Sequence, residues 1–139
     1  MSKTAIVYWT GTGNTLQMAE AVASGARSAG ASADLFNCSE FNGSMVSSYD
    51  SIAFGCPAMG AEVLEEMEFQ PMFDSCEAAI NGKKIALFGS YGWGSGEWMN
   101  NWEETCRGDG AKIVGTVICC GTPDDSAIAD CTALGTALA

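Results

Sequence analysis

The chain has no histidine, and its 17 acidic residues face only 6 basic ones in 139 positions. Without histidine, Ser–His and Cys–His nucleophile pairs, imidazole acid–base steps and histidine metal ligands are all excluded. A formal charge of −11 argues against nucleic acid and anionic membrane surfaces as partners, and favours proteins with basic patches. Proline is scarce (3 residues), and no repeat, linker or low-complexity tract interrupts the chain. The apolar stretch near the start, Ala5 to Trp9, is far too short for a signal-peptide core or a membrane span, so neither export nor membrane insertion is expected. The seven cysteines (Cys38, Cys56, Cys76, Cys106, Cys119, Cys120 and Cys131) are odd in number, lack any Cys-x-x-Cys and contain one adjacent pair. That spacing suits neither a zinc site nor a disulfide framework. It reads as small buried groups in a reducing cytoplasm, with a reactive thiol as the minority reading.

What is present is a 47% hydrophobic, glycine-rich chain long enough for one domain over residues 1–139. Short apolar runs alternate with segments of helical periodicity. Thr4–Trp9 reads as a first strand, and Asn14–Ala29 as a helix with Leu16, Ala19, Val22, Ala23 and Ala26 on one face and Gly30 as its stop. Ser32–Phe36 is a second strand, Asn42–Ser47 a weak helix, and Ser51–Gly55 a third strand. A helix spans about Phe69–Ile80, with Pro71 in its first turn, where a missing N–H costs nothing. Lys84–Gly89 is a fourth strand, Gly96–Arg107 a helix, Lys112–Cys120 a fifth strand, and Asp124–Leu138 a last helix capped by Asp124 or Asp125. Right-handed crossovers then yield an α/β fold, a parallel sheet covered by helices on both faces. Ligands of such sheets sit beyond the carboxyl ends of the strands.

Three loops at that edge carry the chemistry. After strand one comes Thr10-Gly11-Thr12-Gly13-Asn14-Thr15, where glycines let successive N–H groups converge at a helix N-terminus. The loop holds no lysine, so it lacks what a P-loop nucleotidase needs for β and γ phosphates. It is a cradle of neutral donors for a single phosphate, although an ordinary Gly/Thr turn would look the same. After strand three comes Pro57-Ala58-Met59-Gly60-Ala61-Glu62. Met59 offers a polarizable face for an aromatic ring, Gly60 a peptide that can turn over, and Glu62 an acceptor for a ring N–H. Each also has a plain reading, as core methionine, turn glycine and surface carboxylate. After strand four comes Ser90-Tyr91-Gly92-Trp93-Gly94, leading to Trp98. Aromatic residues in so glycine-rich a loop suggest a flat ligand to stack on, though Trp98, at a helix start, suits folding back onto the core better than Trp93 does. Together the loops suit a planar, monophosphorylated cofactor such as FMN.

These stretches resemble flavodoxins of the short-chain, clostridial type over essentially the whole chain. The phosphate loop follows the family pattern Thr/Ser-x-Thr-Gly-x-Thr, and Cys-Pro-Ala-Met-Gly and Gly-Ser-Tyr-Gly-Trp-Gly closely resemble the clostridial kind, a specific signal. The resemblance implies a three-layer flavodoxin-like fold with strand order 2-1-3-4-5. It implies a low-potential FMN electron carrier, not an enzyme, that cycles between semiquinone and hydroquinone. Met59 and Trp93 would cover the two ring faces, and the Gly60–Ala61 peptide would flip to meet the protonated N5. Glu62 would accept from N3–H, with Ser90 near the phosphate or ribityl chain. Around Cys119, Cys120 and Gly121 no family motif is evident.

No basic residue lies between Arg27 and Lys83 or between Lys84 and Arg107, whereas Glu62, Glu65, Glu66, Glu68, Glu97, Glu103 and Glu104 fall in those gaps. Such a charge run is usually a solvated face. Here it flanks the three loops and would steer basic surfaces of redox enzymes into transient docking by a monomer. One carboxylate ~12 Å away in a water-like medium costs about 0.3 kcal/mol, or about 15 mV for one electron, so several are needed to lower a potential appreciably. A small FMN-dependent reductase of quinones or nitro groups is the alternative. It needs an open ring face and a nicotinamide site, for which Met59, Trp93 and 139 residues leave little room. A phosphoryl-receiver domain is rejected, because Gly55-Cys56 and Gly121-Thr122-Pro123 stand where it needs an aspartate and a lysine.

Overall fold

The computed structural model describes residues 2–59, 63–92 and 94–139. Five strands, β1 (Lys3–Tyr8), β2 (Ser32–Asn37), β3 (Ser51–Gly55), β4 (Lys84–Tyr91) and β5 (Lys112–Cys120), form one parallel sheet in the order β2-β1-β3-β4-β5. Helices α1 (Asn14–Ser28), α2 (Phe69–Cys76), α3 (Glu97–Gly108) and α4 (Asp125–Leu138) complete the alternation. The three-layer α/β arrangement and strand order are those expected from the resemblance.

The two-residue period of the strands sorts the core into two unlike halves. Ile6, Ala53, Ala86 and Phe88 face α1 and α4, where alanines and small residues predominate. Their neighbours Ala5, Val7, Ile52, Phe54, Ile85 and Leu87 face the aromatic side chains of α2 and α3. On the small-residue side the helices approach until a Cβ at Gly25 would stand 1.9 Å from the Thr132 carbonyl, and one at Gly135 1.9 Å from that of Val22. On the other side Phe54, Phe69, Phe73 and Trp102 meet edge to face, with ring centroids 5.2–5.8 Å apart.

Three elements differ from the sequence reading. Strand β4 runs to Tyr91 instead of stopping at Gly89, because β5 is long enough to pair with Ser90 and Tyr91 through Cys119 and Cys120. Helix α2 ends at Cys76 and tightens into a 3-10 turn over Glu77–Ala79. The weak helix near Asn42 is a 3-10 helix, Gly43–Ser48, capped by the Asn42 side chain on Ser44 N at 2.9 Å. Asp124 caps α4, accepting from Ala127 N at 2.8 Å. No helix among the described residues is long and apolar enough to cross a membrane.

Candidate functional site

The loop from β1 to α1 enters the helix through Gly13 with no side-chain cap at the helix start. Gly13 takes the left-handed conformation (φ 92°) immediately before the first helical residue, and Thr10 Oγ1 accepts the Gly13 N–H at 3.0 Å. The first turn of α1 carries no acidic side chain to occupy its positive end. Among the described residues, the N–H groups of Gly11, Thr12, Asn14, Thr15 and Leu16 find no acceptor in the protein. Thr15 is buried, and its hydroxyl lies 3.5 Å from that of buried Ser90 on β4. At that distance the two hydroxyls are only loosely paired and remain available to a third oxygen.

Beyond β3 the ladder continues through Cys56 N to Phe88 O (3.1 Å) and Ala58 N to Ser90 O (3.0 Å). Met59 and Val63 then exchange two backbone hydrogen bonds, at 2.8 and 3.0 Å, as an antiparallel bridge. The expected contacts of Gly60, Ala61 and Glu62 lie outside the described residues, as do those of Trp93. Downstream, the buried Glu65 carboxylate collects the N–H groups of Met67, Glu68 and Phe69 at 2.7–2.9 Å. Burial alone would raise its pKa, but these three bonds outweigh burial and hold the carboxyl below the usual range. This carboxylate organises the start of α2, a role the sequence reading did not assign.

At the end of β4, Tyr91 packs its ring 5.6 Å from that of Trp98. Trp98 is buried and donates its indole N–H to the Cys56 carbonyl at 3.3 Å, so it belongs to the core.

These strand ends enclose a cleft of about 280 Å³. Of the expected site residues, Gly11, Thr12, Asn14, Pro57, Ala58, Met59, Ser90, Tyr91 and Gly92 line it. Thr10, Gly13 and Thr15 belong to the same loop, with Thr10 bonded to Gly13, but not to the wall, and Gly94 (φ 92°) is not part of it either. Two wall residues were missed, Trp9 and Gly121. An aromatic residue at a strand end directly before a glycine loop was the available signal for Trp9. Gly121 is placed by pairing alone, its N–H donating to Tyr91 O at 2.8 Å. A second cavity, about 180 Å³ between α2 and α3, is walled mainly by apolar side chains such as Phe73 and Trp102 and has no helix N-terminus comparable to that of α1. Among the described residues no group of acidic or cysteine side chains could hold a metal ion, and all seven cysteines are free thiols.

The cleft opens between β1 and β3, where the chain, having gone from β1 to β2, reverses direction across the sheet. A glycine-rich loop leads from this cleft into the head of α1, the arrangement in which doubly wound α/β proteins bind phosphorylated ligands. The family model described as flavodoxin matches residues 6–135. A flavodoxin from Clostridium beijerinckii is 45% identical over 134 residues, 96% of this chain and 97% of its own. One from Megasphaera elsdenii is 44% identical over 96% of each chain. The solution structure of two-electron reduced Megasphaera elsdenii flavodoxin superposes with a TM-score of 0.91 at 43% identity, covering 97% of both chains. The chain belongs to the flavodoxin family, and it is an FMN-binding electron-transfer protein.

Proposed function

We propose that the cleft holds FMN with its phosphate in the Thr10–Thr15 loop, and that the chain shuttles single electrons at low potential between redox partners. The observation that carries this reading is the set of five N–H groups on either side of Gly13, from Gly11 to Leu16, that find no acceptor among the described residues. Each charge-assisted hydrogen bond contributes about 1.5–3 kcal/mol, so several hold a dianion with no cationic side chain. The Thr15 and Ser90 hydroxyls supply further donors.

When bound, the flavin supplies the redox chemistry. The protein supports and tunes it. Met59 and Trp93 would cover the ring faces, and Trp9, Pro57, Ala58, Tyr91 and Gly92 stand in the cleft wall. The carbonyl of the Gly60–Ala61 peptide would accept a hydrogen bond from a proton at N5, and Glu62 would accept from N3–H. Acidic residues such as Glu68, bonded to Trp9 of the cleft wall, raise the cost of added negative charge and attract basic partner surfaces. The chain works as a monomer, a single FMN-binding unit, in a reducing cytoplasm, which suits its free thiols.

Titration of the apoprotein with FMN and with riboflavin tests the assignment of the loop. FMN binds in a 1:1 ratio, and riboflavin at least about a hundredfold more weakly, the worth of one or two charge-assisted hydrogen bonds. Equal affinity for the two would remove the phosphate from this loop.

A further inference from the structure

We infer that Trp9 and Glu68 form a strut that holds the phosphate loop in its binding shape by bracing it against the segment after β3, so that both are positioning residues for FMN. The inference rests on the reading of the cleft as the FMN site. Trp9 is fixed at three points. Its backbone N–H extends the β1–β3 ladder, donating to Gly55 O at 3.0 Å. Its six-membered ring lies against Gly11, where a Cβ would stand 3.1 Å from Cη2 and 3.3 Å from Cζ3. Its indole N–H donates to Glu68 Oε1 at 3.2 Å.

Glu68 is in turn anchored. Its N–H donates to Glu65 Oε1 at 2.7 Å, and the same buried carboxylate binds the N–H groups of Met67 and Phe69. The Glu65 N–H reaches Cys56 Sγ at 3.4 Å, at the foot of the segment that carries Met59. A continuous line of contacts therefore runs from the phosphate loop through Trp9, Glu68 and Glu65 to the end of β3. Two segments whose contact residues stand 59 positions apart in the chain are braced against each other.

The competing reading takes Glu68 as one more solvated carboxylate. The two readings differ in sign. A carboxylate repels a phosphate dianion, so deleting a charge that does nothing else tightens FMN binding. Deleting a strut loosens it.

The test measures FMN and riboflavin affinity of the apoprotein by quenching of flavin fluorescence, for Trp9→Phe, Glu68→Ala, Glu68→Gln and the double variant Trp9→Phe/Glu68→Ala. Proton exchange of the Trp9 indole N–H is followed by NMR in the parent, Glu68→Ala and Glu68→Gln proteins. Trp9→Phe and Glu68→Ala each weaken FMN about three- to tenfold, the worth of one partly exposed hydrogen bond. The double variant loses no more than either single one. Glu68→Gln keeps an acceptor for the indole, retains or improves FMN affinity, and leaves indole exchange slow, whereas Glu68→Ala accelerates it. Riboflavin, which lacks the phosphate, is affected less than FMN. Unchanged or tighter FMN binding in Glu68→Ala overturns the strut, as do additive losses in the double variant or equal losses for FMN and riboflavin. A parent protein that binds no FMN overturns the cofactor reading itself, a result separate from any variant.

Discussion

Gly89 lies so close to Cys56 that a Cβ on it would stand 2.1 Å from the Cys56 carbonyl oxygen. That carbonyl also accepts the Trp98 indole N–H at 3.3 Å. The contact joins the ends of β3 and β4 and anchors the base of α3, immediately before Pro57 and Ser90 enter the cleft wall. Gly89→Ala must therefore push the strands apart or displace Trp98. The expected cost is about 1–3 kcal/mol of stability, with a shift of tryptophan emission toward that of an exposed indole. Thermal unfolding and fluorescence check both, and a variant as stable as the parent would show that the close approach relaxes freely.

The Thr15 hydroxyl lies 3.5 Å from that of Ser90, a residue of the cleft wall. Thr15→Val keeps the shape of the side chain and removes the donor. FMN affinity falls about tenfold, corresponding to one hydrogen bond to a charged group, while riboflavin affinity stays within a factor of about two. Equal losses would place the hydroxyl away from the phosphate.

Two carboxyls, Glu65 buried and Glu77 half-buried, respond to pH in opposite directions. Glu65 is held below the usual carboxyl range, burial being outweighed by three N–H bonds. Its contribution to stability is present above its unfolded pKa and is lost as pH falls through the lower folded value. Glu77 is pushed up to about 7, first by burial and then by the hydrogen bond and charge of Asp109, with Asp74 adding to it. Its contribution is full below the ordinary value of 4.5 and is lost as pH rises through about 7. Glu77→Gln should raise the melting temperature at pH 8 relative to the parent. Glu65→Gln should lower it at pH 7 and flatten the acid limb. A melting-temperature series from pH 4 to 8 on both variants checks the signs, and parallel curves for parent and Glu77→Gln would contradict the second.

The thiols divide by burial. Cys38 and Cys76 are pushed up to about 11 and Cys106 and Cys131 to about 12, in each case first by burial, and Cys56 is raised further still. Cys120 is exposed at the end of β5. Brief alkylation of the native protein near pH 8 should add one label, at Cys120, with partly buried Cys119 following slowly. Rapid labelling of Cys56 or Cys131 would mean that the core opens.

Much of this architecture is legible locally. Two-residue and helical periods mark out the strands and helices, and the Thr10–Thr15 and Pro57–Met59 stretches announce the cleft because glycine, threonine and methionine there have chemical reasons to be so placed. What escaped the sequence depends on partners distant in the chain. Ser90 and Tyr91 read as loop, since only pairing with Cys119 and Cys120 extends β4 over them. Glu65 read as one of many acidic residues, and its burial becomes visible only once three N–H groups turn toward it. Trp9 and Gly121 enter the wall because the sheet brings the ends of β1 and β5 to one edge.

The measurement that bears most directly on the central claim is visible absorption of the purified, FMN-loaded protein during stepwise anaerobic reduction. A one-electron carrier predicts two resolved steps, with a long-wavelength band that rises in the first, falls in the second and is weaker in Gly60→Ala. Direct bleaching in a single two-electron step, together with steady NAD(P)H oxidation by the isolated protein, would contradict it and point to a reductase instead.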